Sequence, residues 1–271
     1  MLVQRVVTAL VLLPLLLAAI WYLPPVYLYA VFCGAGLIAA WEWAGLMVPT
    51  STPLRAAYLV LCAAGMAAAW TLKAWALWFF VAAAAWWLYA VGLVVRYPGN
   101  FERGRPGPVA MGVMGLVLLV PTMLALSTLR GMPDGQLRLL YVFFLVFAAD
   151  TGAFLAGRSF GRRKLAPAVS PGKTLEGFVG GMLLCAAWAV VAGTAVFKLD
   201  SPGAIGLIVL VSLVVAAFSV VGDLTESLFK RAAGKKDSGS ILPGHGGMLD
   251  RVDSILAAAP LLTLGLLLTG L

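Results

Sequence analysis

Asp223 and Glu226 lie three positions apart, and Lys230 follows four positions later, so a helical segment would set all three on one face. Asp250 and Asp253 repeat the three-residue spacing. Between the two acidic pairs run Lys230-Arg231-Ala232-Ala233-Gly234-Lys235-Lys236-Asp237 and Pro243-Gly244-His245-Gly246-Gly247. Clustered carboxylates offer the oxygen ligands that a hard cation such as Mg²⁺ prefers. Cations in this number beside acids point to a polyphosphate bridged by metal. The glycines allow backbone N–H groups to approach an anion closely. Taken singly, Asp250 reads equally well as a helix N-cap and Asp253 as a charge complementing the helix dipole. It is the cluster that points to a cation site. His245, the only histidine, suits a general base or a structural or phosphate-binding group.

A second polar stretch reads Ser170-Pro171-Gly172-Lys173-Thr174-Leu175-Glu176-Gly177. A nucleotide-binding P-loop needs a glycine five positions before Gly172, where Pro167 stands, and no strand is expected ahead of it. The stretch does open a helix, whose N–H groups and dipole favour phosphate. Gly177 and Gly181 are spaced for close helix packing. Ionisable residues in or at the ends of apolar spans are functional candidates by default, and Glu42, Asp150, Glu176, Asp223, Glu226 and Asp253 are of this kind.

Those spans dominate the chain. Of its 271 residues, 62% are hydrophobic and 11% charged, with mean hydropathy +1.01. A soluble domain is nearer 45–50% apolar and about 25% charged. This composition excludes a soluble enzyme, a nucleic-acid-binding domain and a fibrous repeat. The net charge of +8 reflects lysines and arginines beside an anionic leaflet, so no nucleic-acid partner is expected. Cys33, Cys62 and Cys185 are scattered through apolar runs, which argues against disulfides and zinc.

The pattern predicts an all-α polytopic membrane protein with about nine spans, near 6–23, 26–48, 54–72, 74–95, 109–129, 139–158, 174–197, 203–224 and 252–270. The first lacks a clean cleavage site and reads as a retained span. With the N-terminus inside, 15 of the 19 Lys and Arg fall in cytoplasmic segments, and only Lys73, Arg130, Arg138 and Lys198 fall outside. The C-terminus is then external. Residues 1–130 form a helical scaffold for dimer or lipid contacts. Residues 131–271 form the catalytic region, with cytoplasmic loops at 159–173 and 225–251.

The stretch from Ser227-Leu-Phe-Lys230-Arg231 through Lys236-Asp237 to Leu242-Pro-Gly-His-Gly-Gly-Met-Leu-Asp250-Arg251-Val-Asp253 resembles, without departure, the signature of phosphatidate cytidylyltransferases. Asp150-Thr-Gly-Ala-Phe154, Gly157-Arg158 and the Ser170–Gly177 stretch resemble that family's upstream elements, so the likeness covers roughly 145–253. The resemblance implies transfer of a cytidylyl group from CTP to phosphatidic acid in a magnesium-dependent, membrane-embedded homodimer, a second cation being compatible. By motif position it implies metal at Asp223 and Asp250, with Asp150, Glu226 and Asp253 as additional candidates. Lys230, Arg231 and His245 join the catalytic set. Ser170, Lys173, Thr174, Lys236, Asp237, Gly246, Gly247 and Arg251 are expected at the substrates. The expected location is a bacterial cytoplasmic (inner) membrane with the site facing the cytosol.

Two other readings compete: a related CTP-using transferase with another lipid acceptor, and a cation or proton transporter through Asp150 and Asp223. Transporters hold their carboxylates near the bilayer midplane, whereas these gather at one face. The charge asymmetry makes a topological prediction. A reporter fused after Leu271 should lie outside the cytoplasm and one inserted near Gly234 inside, as read by paired periplasmic and cytoplasmic reporter activities. Both on one side would refute the nine-span orientation.

Overall fold

Inside hydrocarbon every backbone N–H and C=O must be satisfied, which a helix does alone and an open strand does not. The computed structural model, which describes residues 2–48, 50–102, 104–241 and 246–271, is accordingly almost all helix. Helices α1 (Leu2–Tyr22), α2 (Pro25–Met47), α3 (Thr52–Thr71), α4 (Ala76–Arg96), α5 (Pro108–Gly131) and α6 (Gly135–Phe160) lead to a hairpin of β1 (Lys164–Ala166) and β2 (Ser170–Thr174). There follow α7 (Leu175–Trp188), a π-helical turn at Ala189–Gly193, α8 (Thr194–Phe197), α9 (Pro202–Ala232) and α10 (Leu249–Thr269). Among the described residues, eight segments are long and apolar enough to cross a bilayer, with Leu175–Phe197 counting as one. The one remaining expected span, the first, corresponds to α1, whose described apolar stretch is Leu10–Tyr22.

Two elements differ from the sequence reading. The span expected to stop at 224 continues to Ala232, so residues 225–232 belong to α9 and not to a loop. Helix wins there because Leu224, Leu228 and Phe229 fall on a buried face that continues the apolar stripe. With 31 residues α9 is about 46 Å long against a hydrocarbon thickness of about 30 Å, enough to carry Glu226 and Lys230 to the membrane boundary on a rigid rod. It ends at Gly234, whose φ of +68° suits glycine, with Lys235 N–H donating to Lys230 O at 2.8 Å. The second difference is β2, a short strand directly ahead of α7 where none was expected. It pairs antiparallel with β1, Lys164 opposite Thr174 and Ala166 opposite Ser170. Gly172-Lys173-Thr174 lies within this strand and not in a loop after it, so a P-loop is still absent.

Helices α6 and α7 touch through backbone. A Cβ added at Gly152 would stand 2.5 Å from Gly180 O, and one at Gly181 would stand 2.7 Å from Ala149 O. The expected small pair is therefore what brings Asp150, on α6, against the start of α7. Elsewhere Pro260 leaves the carbonyl of Leu256 without its helical donor, and the Thr122 hydroxyl of α5 reaches that oxygen at 3.1 Å. Trp43 Nε1 donates to Met111 O at 2.8 Å, tying α2 to α5.

Gly181→Leu should force α6 and α7 apart, because backbone atoms cannot yield as a side chain can, at a cost of about 1–3 kcal/mol or more. The detergent-solubilised variant should show a lowered thermal midpoint. Gly206→Leu, whose Cβ would meet nothing within 4 Å, should not.

Candidate active site

Asp150, Ala153, Phe154 and Gly157 recur at i, i+3, i+4 and i+7 on α6 and line one wall of a cavity of about 370 Å³. Lys173 of β2 and Arg158 of α6 add two cations, and Phe178 and Val220 an apolar floor. Lys173 Nζ lies 2.7 Å from Asp223 Oδ2, while Asp223 Oδ1 accepts from Ser227 Oγ at 3.3 Å. Asp150 lies within electrostatic range of both Lys173 and Asp223. Asp253 of α10 backs onto Gly222, the residue before Asp223, where an added Cβ would stand 2.5 Å from Asp253 O. Aspartates of α6 and α9 thus meet one lysine delivered by the hairpin, with Asp253 of α10 packed behind.

A second cluster lies deeper. Lys230 forms ion pairs with Glu226, one turn back on α9, and with Asp250 of α10, the latter at 2.5 Å. Both Asp250 oxygens are engaged, Oδ1 by Lys230 and Oδ2 by Ser238 N–H at 3.1 Å and Gly247 N–H at 2.8 Å. The side chains of the Lys230–Asp250 pair are 11% and 10% exposed, against 25% and 30% for Lys173–Asp223. The outer pair is therefore the one open to a soluble ligand, and the inner one holds the chain together. Gly246, at φ +82°, sits where a Cβ would press on Asp250, and a Cβ at Gly247 would stand 2.5 Å from Glu42 Oε2.

Glu42 is the residue whose role the sequence did not disclose. Although named as a candidate carboxylate, it carried no assignment. It is buried on α2, yet it accepts from Ser238 Oγ at 3.2 Å, Met248 N at 3.1 Å and Leu249 N at 2.7 Å. The N–H groups of Met248 and Leu249 are the first of α10, which begins after Met248, so Glu42 and not Asp250 caps that helix from another span. Lys235 Nζ donates to Gly45 O at 3.1 Å and Arg105 to Leu46 O at 3.2 Å, so part of the basic sequence serves the end of α2.

Other expected site residues have structural work. Thr174 caps α7, its Oγ1 accepting from Gly177 N at 3.1 Å, while Leu175 N donates to Arg163 O at 2.9 Å. Those two N–H groups are thus satisfied within the protein. Ser170 opens β2 in register with Ala166. Glu176 accepts from Arg162 N at 3.0 Å and Arg163 N at 3.1 Å and fixes the turn after α6. Arg231 lines a separate depression with Glu102 and Arg105. Lys236, Asp237 and Arg251 are exposed, and His245 lies outside the described residues. Arg158 was missed as a cavity residue, although it follows Gly157 of the legible α6 stripe.

Among the described residues no three His, Cys, Asp or Glu side chains form a metal cage. Asp150, which lines the cavity, and Asp223, paired with the cavity's Lys173, are oxygen donors of the kind that magnesium takes one or two at a time. The comparisons with known proteins decide the family. The profile of the cytidylyltransferase family matches residues 3–268. The chain belongs to that family. It is 41% identical over 263 residues to the phosphatidate cytidylyltransferase of Pseudomonas aeruginosa, covering 96% of this chain and 95% of that one. The phosphatidate cytidylyltransferase of Haemophilus influenzae is 36% identical over 279 residues, covering 96% of each. That of Staphylococcus haemolyticus is 48% identical over 131 residues, 48% of this chain and 49% of that one. Family membership makes the chain a nucleotidyltransferase, which suits a cleft of paired acids and cations. The likeness extends through the N-terminal helices, as Glu42 requires of a working site.

Removing the Glu42 carboxylate would orphan three donors, each costing about 1–3 kcal/mol when buried. Glu42→Ala should lower the melting temperature and the activity together, while Glu42→Gln, which keeps one acceptor, should recover part of both. An unchanged melt for Glu42→Ala would refute the cap.

Proposed function

We propose that this protein transfers the cytidylyl group of CTP to phosphatidic acid, giving CDP-diacylglycerol and pyrophosphate, at the cytoplasmic face of a bacterial inner membrane. The observation that carries the reading is the Lys173–Asp223 pair, flanked by Asp150 and Asp253, at a cavity that opens between α6, α7 and α9. A membrane-boundary site suits one substrate that is a lipid and one that dissolves in cytosol. The names of the bacterial relatives support the same substrates.

The lipid phosphate is ionised near neutral pH, so it attacks without a strong base. One of its oxygens bonds to the α-phosphorus of CTP. The bond from that phosphorus to the bridging oxygen breaks, and its electron pair leaves with pyrophosphate. Catalysis is then alignment of two anions and neutralisation of charge. Lys173 and Arg158 hold phosphate oxygens in the cavity. Lys230, kept in place by Glu226 and Asp250, fixes the register of α9 against α10, and His245 orients the Gly-rich stretch or the substrate. Asp223, in the open pair, would hold magnesium, and Asp250 would join it by exchanging its ammonium partner Lys230 for the cation, with Asp150, Glu226 and Asp253 within reach of a second cation. The metal, when bound, supplies neutralising charge to the triphosphate. Homodimeric assembly belongs to the same reading.

Asp223→Asn and Asp250→Asn preserve shape while removing charge, and because Asp250→Asn also takes a partner from the buried Lys230, its rate is read beside its melting temperature. Purified protein given CTP, Mg²⁺ and phosphatidic acid should make CDP-diacylglycerol, and each variant should lose about 10²–10³ in rate, the usual cost of a lost electrostatic contact at the reacting centre. Absence of product from the wild type would overturn the proposal. Near-normal turnover by either variant would remove that aspartate from the metal site.

A further inference from the structure

Next to the polar cavity lies a second concavity of about 550 Å³ between α4 and α9, roofed by the hairpin and lined almost wholly by apolar side chains. Val91, Val94 and Val95 form its α4 wall, and Ala217, Val221 and Leu224 its α9 wall. Leu165, Phe178 and Val220 line both concavities, so the two adjoin across these three side chains. Along α9 the groove runs from Leu224, next to Asp223, back to Ala217. That is about 10 Å along a helix, against roughly 15 Å for half of a 30 Å hydrocarbon layer. A charged cavity thus joins an apolar channel that descends along a membrane-spanning helix, which is the division of polarity within one phospholipid.

We propose that this groove is an acyl-chain subsite, taking one chain of phosphatidic acid while the phosphate sits beside Lys173 and Arg158. The assignment rests on the phosphatidate reading above. A headgroup held at Lys173 has its glycerol at Phe178 and Val220, and the adjoining space offered to the attached chain is the groove. Its hairpin roof, through Leu165 and Val169, then couples the lipid chain to the strand that carries Lys173.

Filling the groove should penalise long chains and spare short ones. Ala217→Trp on α9 and Val94→Trp on α4 narrow it from opposite walls without touching the charged cavity. In each, kcat/KM for dipalmitoyl phosphatidate should fall about tenfold or more, the scale at which an apolar pocket discriminates by fit. Turnover of dihexanoyl phosphatidate and the KM for CTP should stay within about twofold, which also reports that the variant is folded. As a second measurement, phosphatidate bearing a photoreactive acyl chain should label the α4 and α9 segments of the wild type, and excess phosphatidate should compete where phosphatidylcholine does not. Equal losses with both chain lengths, an undiminished long-chain rate, or labelling competed by phosphatidylcholine would each overturn the subsite while leaving the transferase reading standing. Failure of the wild type to use phosphatidate of any chain length would overturn that reading, and the subsite with it.

Discussion

One ammonium group, that of Lys230, lies between Glu226 on its own helix and Asp250 on the next. A carboxylate taken out of water is tolerated only when paired and hydrogen-bonded, and losing one member of a buried pair strands the other. The position of α10 relative to α9 is therefore set by charge as well as by packing. The loop between them closes onto the same centre, with Ser238 and Gly247 both donating to Asp250. Glu42 then ties this assembly to α2, far away in sequence. Four segments meet at three carboxylates, those of Glu42, Glu226 and Asp250, and the open cavity is built against that frame.

The arrangement separates two duties among residues of the same type. Lys230 and Asp250 are nearly enclosed and hold helices in register, while Lys173 and Asp223 form a pair of similar chemistry left open to solvent. A half-exposed pair costs less to break than a buried one, because water compensates each partner as it leaves. The outer pair can therefore be opened by an anion or a cation at modest cost. Close contact of α6 with α7, allowed by Gly152, Gly180 and Gly181, places Asp150 within range of it.

The bilayer explains why the polar groups gather where they do. Helices of about 20 residues satisfy their own backbones across the hydrocarbon, and α9 exceeds that length, so its last turns reach the boundary as helix. A rigid rod can present Asp223, Glu226 and Lys230 at fixed spacing, which a loop over 225–232 could not. The hairpin of β1 and β2 supplies the opposite wall and links the polar cavity to the apolar groove beside it.

The sequence alone determined the membrane class, the span positions, the helix-packing role of Gly177 and Gly181, and the acidic and basic residues from which the site is built. Each of these follows from local quantities: length of apolar run, spacing along a helix, and charge within a short motif. Tertiary structure decided which lysine partners which aspartate, because Lys173 and Asp223 are 50 positions apart and nothing local relates them. It alone assigned Glu42, whose three donors come from residues about 200 positions away and whose own surroundings in sequence are uniformly apolar. It also gave Thr174 the cap of α7 and extended α9 into the expected loop. A carboxylate has the same composition whether it binds substrate or holds a helix end. What distinguishes the two is the set of donors brought to it when distant segments pack.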